Sequence, residues 1–130
     1  MAFALLVSCG GEKKSDAGNL TAEMETLIKE KQGDDLLAGF MELDRKYPDQ
    51  LILKINISGM MLANNDIKGA GDYLKQGLPL AKNSKDNGEK YVFYTNMAQY
   101  SFKNQDPNKS IEYANEALAA DKNDSLGVRL

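Results

Sequence analysis

Histidine is absent from the 130 residues, and there is one cysteine. Those two facts bound the chemistry. Without imidazole there is no Ser–His or Cys–His nucleophile pair and no His-ligated metal centre. Carboxylates remain, and paired carboxylates can do acid–base work. Asp34-Asp35, however, reads more simply as a helix start, and Glu23/Glu25 as an acidic first turn favoured by the helix dipole. Asp121, Asn123, Asp124 and Ser125 offer oxygen ligands but lack the turn glycine and terminal Glu of an EF-hand loop. Gly69 and Gly71 flank Ala70 inside a helical stretch, not after a strand, so they form no phosphate cradle. We expect no catalytic residue, no metal and no cofactor. The net charge is −3 and the pI about 5.0, and Lys13-Lys14 is too short to count as a basic patch. Nucleic acid is not an expected partner.

The remaining chemistry sits at Cys9. Leu6-Val7-Ser8-Cys9 resembles a bacterial lipobox, in which branched apolar residues and a small residue precede the cysteine that receives lipid. The resemblance implies a lipidated Cys9, held firmly because several acyl chains anchor where one alone is marginal. The polar, glycine-containing stretch from Gly10 to Gly18 suits a flexible tether. The residues before Cys9 depart from a full secretory signal: they carry no Lys or Arg, and the apolar run Ala2–Val7 is short. Two readings stay open. Either the true start lies upstream of Met1, or Cys9 is a free thiol near a disordered end. The first implies a periplasm-facing protein anchored in a bacterial envelope; the second, a cytoplasmic one. A lone cysteine makes no intramolecular disulfide, so the fold must rest on packing. No segment is long enough to span a bilayer as a helix.

The elements that would carry a function are clearest in residues 91–124. Tyr94, Met97, Ala98 and Phe102 recur at helical spacing, and Ile111, Ala114, Ala117 and Leu118 do so after a break. Asp106-Pro107 marks the second helix start, since Asp caps an unpaired amide and Pro at the first position loses no needed donor. The small residues Ala98, Ser110 and Ala117 fall where two helices would cross, with Tyr94, Met97 and Leu118 filling the space around them. Residues 51–84 repeat the scheme 40 residues earlier. Ser58, Ala70 and Gly77 are the small residues there, Ile57 and Leu78 the large ones, Asp66 the cap, and Asn56 matches Asn96. The surplus over a repeat of about 34 residues falls in Lys85–Lys90, as a longer connection or extra helical turns.

Both windows resemble tetratricopeptide (TPR) repeats. They depart from the family pattern at Lys54, Ser101, Ala114 and Lys122. A third, more degenerate hairpin precedes them: Leu20, Met24, Leu27 and Ile28 form one stripe, and Leu36, Leu37, Phe40, Leu43 and Tyr47 another, broken at Gln32-Gly33-Asp34 and ended by Tyr47-Pro48-Asp49. The expected fold is all-α, a TPR-like α-solenoid of about three antiparallel helix pairs. Helices are expected near 20–32, 35–46, 50–64, 67–82, 88–104 and 107–120, with Pro79 kinking or ending the fourth. The organisation is then a signal-like segment (1–9), a tether (10–19), a repeat domain (20–124) and a tail or start of a further helix (125–130).

The family resemblance implies a groove lined by first helices. By position it would use Ile52, Ile55, Asn56, Gly59, Leu62 and Ala63 of one repeat and Val92, Thr95, Asn96, Gln99, Phe102 and Lys103 of the next. The amides of Asn56, Asn96 and Gln99 could pair with the backbone of an extended peptide or helix. Val92 and Asn96 stand where the family's carboxylate clamp needs basic residues, so that clamp is not expected. The function implied is an adaptor with a protein or peptide partner, tethered by lipid, whose apolar array end offers a self-association surface. The alternative is a periplasmic solute-binding or transport-accessory subunit with a deep pocket walled by Ile, Leu, Met and Phe.

Overall fold

A computed structural model of the chain describes the backbone of residues 14–125 and the side chains of residues 19–122. Among the described residues there are six α-helices and no strand: α1 (Lys14–Glu30), α2 (Gly33–Lys46), α3 (Leu51–Ala63), α4 (Ile67–Asn83), α5 (Asn87–Lys103) and α6 (Pro107–Ser125). The all-α class is as expected. Cys9, the signal-like segment and most of the tail lie outside the described residues.

Two boundaries differ from expectation, and Pro79 does not end its helix: α1 starts early, and α6 runs on to Ser125, so that Asp121, Asn123 and Asp124 lie within it rather than between helices. The first helix begins at Lys14, so the stretch read as a tether through residue 19 is already helical there. Glu23 and Glu25 are consequently in mid-helix rather than in an acidic first turn. Pro79 does not end α4, which runs on to Asn83. A proline removes one amide donor and crowds the carbonyl four residues back, and that carbonyl belongs to exposed Lys75, where water can serve it. The surplus at Lys85–Lys90 is divided between a short connection through Asp86 and the first turn of α5, which starts at Asn87, as expected to within a residue; Asp86 caps it, its Oδ1 accepting from the Glu89 amide at 3.0 Å.

The two later hairpins share one turn. At its apex Asn65 has φ 63° and Gln105 φ 62°. The amide of Asp66 donates to Met61 O and that of Asp106 to Ser101 O, both at 2.8 Å. Asp66 Oδ1 accepts from Gly69 N (3.0 Å) and Asp106 Oδ1 from Lys109 N (3.1 Å), so both aspartates cap as their sequence positions suggest. A left-handed turn residue is uncommon outside glycine. Its recurrence 40 residues on, with the same hydrogen bonds, makes these two turns copies of one local structure. The earlier α1–α2 turn is different: it uses Gly33 at φ 56°, with Asp34 and Asp35 in the first turn of α2.

Small residues sit at the helix crossings. Ser58 and Ala70 are fully buried. Gly77 lies so close to α3 and α5 that an added Cβ would fall 2.6 Å from the Phe93 ring and 3.1 Å from Lys54 Cβ. In the last hairpin Ser110 Oγ donates to Ala98 O (2.9 Å), and Ala117 is buried. Leu118 does not fill the space beside that crossing; it is exposed, as are Phe102 and Ile111.

Packing centres on α3, which touches α2, α4 and α5. Every residue from Leu51 to Leu62 is buried. Leu53 and Ile57 join a core with Leu20, Met24, Phe40 and Leu43 of the first pair. Leu51 and Ile55 join a second core with Leu74, Phe93, Tyr94, Met97 and Ala117. A helix buried on all sides has to accommodate its polar residues, and Lys54 does so by pairing. Its ammonium lies 2.9 Å from each carboxylate oxygen of Asp44, donates to Gln76 Oε1 at 2.9 Å and sits 5.7 Å from the Tyr73 ring centre. Asp44 Oδ1 is off the hydrogen-bond direction, so it is served by charge rather than by a directed bond.

The first pair is held partly by a surface clamp. Tyr47 Oη donates to Glu23 Oε2 (2.6 Å), and Lys46 Nζ donates to both Glu23 oxygens (3.0 and 3.1 Å). The hydrogen bonds from Tyr47 and then Lys46 hold the Glu23 carboxyl below its ordinary range, while the Glu23 hydrogen bond raises Lys46 and Tyr47 in turn.

Candidate functional site

The expected groove is divided by burial. Ile55, Asn56, Gly59 and Leu62 of α3, with Ile52, are buried. They cannot meet a partner without the molecule opening, because α2, α4 and α5 enclose this helix. Position in the repeat implies an open concave side, whereas α3 is covered by its neighbours along its length.

Asn96 also has a different task. Its Nδ2 donates to Ile55 O at 3.1 Å and to Ser58 Oγ at 3.3 Å, and Ser58 Oγ donates to the same carbonyl at 3.2 Å. The amide proposed for a peptide backbone thus binds the backbone of α3, fastening one hairpin to the next. The sequence carried a signal for this: Asn96 falls among Phe93, Tyr94 and Met97, all on the buried side.

What stays accessible belongs to α5 and α6. Val92 and Thr95 are half-buried, while Gln99, Phe102 and Lys103 are exposed. Thr95 Oγ1 donates to Tyr91 O (2.8 Å), so its hydroxyl is already engaged within α5. On the neighbouring α6, Ile111 and Leu118 are exposed, and with Tyr91 and Phe102 they give this edge large apolar side chains in water.

Two clefts bear on the solute-binding alternative. One, of about 400 Å³, lies between α1 and α2 and is lined by Ala22, Glu23, Thr26, Leu27, Gly39, Glu42 and Leu43. The other, of about 430 Å³, lies among α4, α5 and α6 and has a charged lining that includes Lys82, Lys90, Lys109, Glu112 and Glu116. Tyr94 stacks on Tyr113 there, 6.2 Å between ring centres, and burial, then Glu116, pushes the Tyr94 phenol up. Of the Ile, Leu, Met and Phe expected to wall an apolar solute pocket, the linings of these two clefts contain only leucines, Leu27 and Leu43 in the first and Leu78 in the second.

Among the described residues no group of three or more carboxylates or other ligating side chains is placed to hold a metal ion. No helix among them is long and apolar enough to cross a membrane. Comparisons of the chain with protein-family models, with curated proteins and with solved structures returned no match.

Proposed function

We propose that this chain is a TPR-like helical-repeat adaptor, an α-solenoid of about three antiparallel pairs that recruits a protein partner to the periplasmic face of a bacterial membrane. Lipid on Cys9 holds it there, and the accessible side of α5 and α6, including Val92, Thr95, Gln99, Phe102 and Lys103, receives the partner. The reading excludes catalysis and assigns no cofactor. It is carried by one observation: two consecutive hairpins repeat the same apex conformation, cap and small-residue crossing 40 residues apart. Modules built this way stack side by side and act through extended surfaces rather than through reactive groups.

Two measurements in the source bacterium test it. The chain should sediment with membranes and be released by Cys9→Ser; wild-type chain found only in the soluble fraction refutes the anchor. A photo-crosslinker at Gln99 should yield a covalent adduct with a second protein in intact cells. Irradiated cells that contain only uncrosslinked chain refute the adaptor role.

A further inference from the structure

Both α4 and α6 pack on α5, but they do not touch one another. The gap between them is the cleft of about 430 Å³, a size that suits a small organic ligand. Its two ends differ. Gly77 faces Phe93 and Gly71 faces Tyr100, so α4 and α5 run in opposite directions from their short connection. Lys82 and Lys90 line the cleft nearest that connection, and one turn further along each helix come Leu78 and Tyr94, with Tyr113 of α6. Tyr94 is only 5 % exposed and is held from two sides. It lies edge-on to Phe93 at 5.5 Å and parallel to Tyr113 at 6.2 Å between ring centres. One end of the cleft is therefore apolar and aromatic, and the other carries ammonium groups.

These charges do not cancel. Lys109 pairs with Glu112 at 3.3 Å, and Glu116 lies near the Tyr94 phenol. Lys82 and Lys90 make no ion pair among the described residues. Asp86 is occupied in capping α5 through the Glu89 amide, and Glu89 itself, adjacent to Lys90, falls on another face of the helix. Residues 126–130, LGVRL, contain no acidic side chain either. In the last turn of α4, Lys82 stands where the helix dipole favours a cation and needs no further explanation. Lys90 is half-buried in the opening turn of α5, where the dipole favours an acid. A second cation is thus brought into one cleft against its own helix dipole, a cost that no described protein group offsets.

We infer that this cleft binds a small aromatic monocarboxylate, with its carboxylate at Lys82 and Lys90 and its ring against Leu78, Tyr94 and Tyr113. Two lysines set against Glu116 leave one positive charge unmatched, which a monoanion satisfies and a cationic ligand would worsen. The rigid tyrosine pair offers a flat group more contact than a flexible chain would find there. At about 100° per residue, Lys90 and Tyr94 lie on the side of α5 away from Gln99 and Lys103. The site therefore goes beyond the adaptor reading and does not depend on it.

The chain has no tryptophan, so indole-3-propionate excited beyond the tyrosine band reports its own binding by anisotropy. Titrated with the intact chain, it should occupy one saturable site with a Kd of about 1 mM or tighter, as its size implies. Indole-3-propionamide, which lacks only the charge, should bind about tenfold more weakly, and tryptamine more weakly still. Lys82→Met and Lys90→Met should each weaken the carboxylate about threefold and leave the amide unchanged. Lys75→Met, at an exposed α4 position outside the cleft, should change neither. Without ligand, Lys90→Met should melt no lower than the wild type by circular dichroism; a lower melting temperature gives Lys90 a structural task and overturns the inference. It is overturned equally by no saturable binding, by equal affinity for acid and amide, or by full affinity in the double lysine variant. Tighter binding of tryptamine overturns it by giving the cleft to Glu112 and Glu116. None of these results bears on an adduct at Gln99, so failure of this site is told apart from failure of the adaptor role.

Discussion

Replacing Lys54 by Met tests how α3 tolerates a charge. Methionine keeps most of the stem that packs beside Gly77 and removes only the ammonium, so the experiment isolates the charge. The Lys54 side chain is 3 % exposed and that of Asp44 11 %, and they meet at 2.9 Å. At that distance the gross attraction is about 6 kcal/mol for an effective dielectric constant of about 20. Much of it offsets the cost of bringing both charges out of water, so the pair itself adds little to stability. Removing one member leaves the other uncompensated, which costs about 3–5 kcal/mol. For a domain of this size that is a fall in Tm of about 10–20 °C. Urea unfolding followed at 222 nm measures the loss directly, and a double-mutant cycle completes it. Lys54→Met and Asp44→Leu should each be strongly destabilising. The double variant should be at least about 2 kcal/mol more stable than the two losses added together predict. If Lys54→Met alone stays within about 1 kcal/mol of the wild type, the carboxylate is not sealed beneath α3 and the account of the core is wrong.

Other changes address the crossings, the turns and the acid limb. Ala98→Leu should cost about 1–3 kcal/mol by forcing apart the backbones that Ser110 Oγ joins; an unaltered melting curve would contradict the crossing. Gly77→Ala gains about 1 kcal/mol of helix propensity but meets the buried Phe93 ring at 2.6 Å. Overpacking wins, and a net loss of about 1–2 kcal/mol is expected by chemical denaturation. Gly33→Ala meets no atom within 4 Å, yet φ is 56°, so it should lose about 1–2 kcal/mol through backbone strain alone. Glu23 has a folded pKa below its unfolded value. Its contribution is therefore present above the unfolded pKa near 4.5 and is lost as pH falls through the lower folded value. Glu23→Gln should flatten stability against pH on that acid side only, by less than about 1 kcal/mol because the clamp is at the surface. A difference persisting unchanged to the lowest pH would assign its effect to packing.

Much of the fold was legible because its signals are local. Asp66 and Asp106-Pro107 announce helix starts through capping chemistry, and the small residues at 58, 70, 77, 98, 110 and 117 announce crossings through volume. Gly33 announced its turn for the same kind of reason. The surface was less legible because exposure depends on neighbours that no local pattern names. Phe102, Ile111 and Leu118 have the periodicity of core residues, yet there is no seventh helix among the described residues to cover them. Ile55 and Leu62 have the positions of groove residues, yet α5 and α2 close over their helix. Lys54 looked like a departure from the pattern, and its meaning appears only when Asp44, on another helix, is seen beside it. The glycines near residue 18 suggested a loose leash, but a single glycine lowers helix propensity by only about 1 kcal/mol and need not stop a helix.

The enclosure of α3 also orders how the molecule comes apart. Its amide protons, shielded by neighbours on three sides, should exchange with solvent only when most of the structure has opened, whereas α1 and α6 touch fewer elements and can fray alone. Unravelling then proceeds inward from both ends. The exposed Ile111 and Leu118 lie on α6, in the portion that loosens early, so anything that covered them would also brake the first step of unfolding.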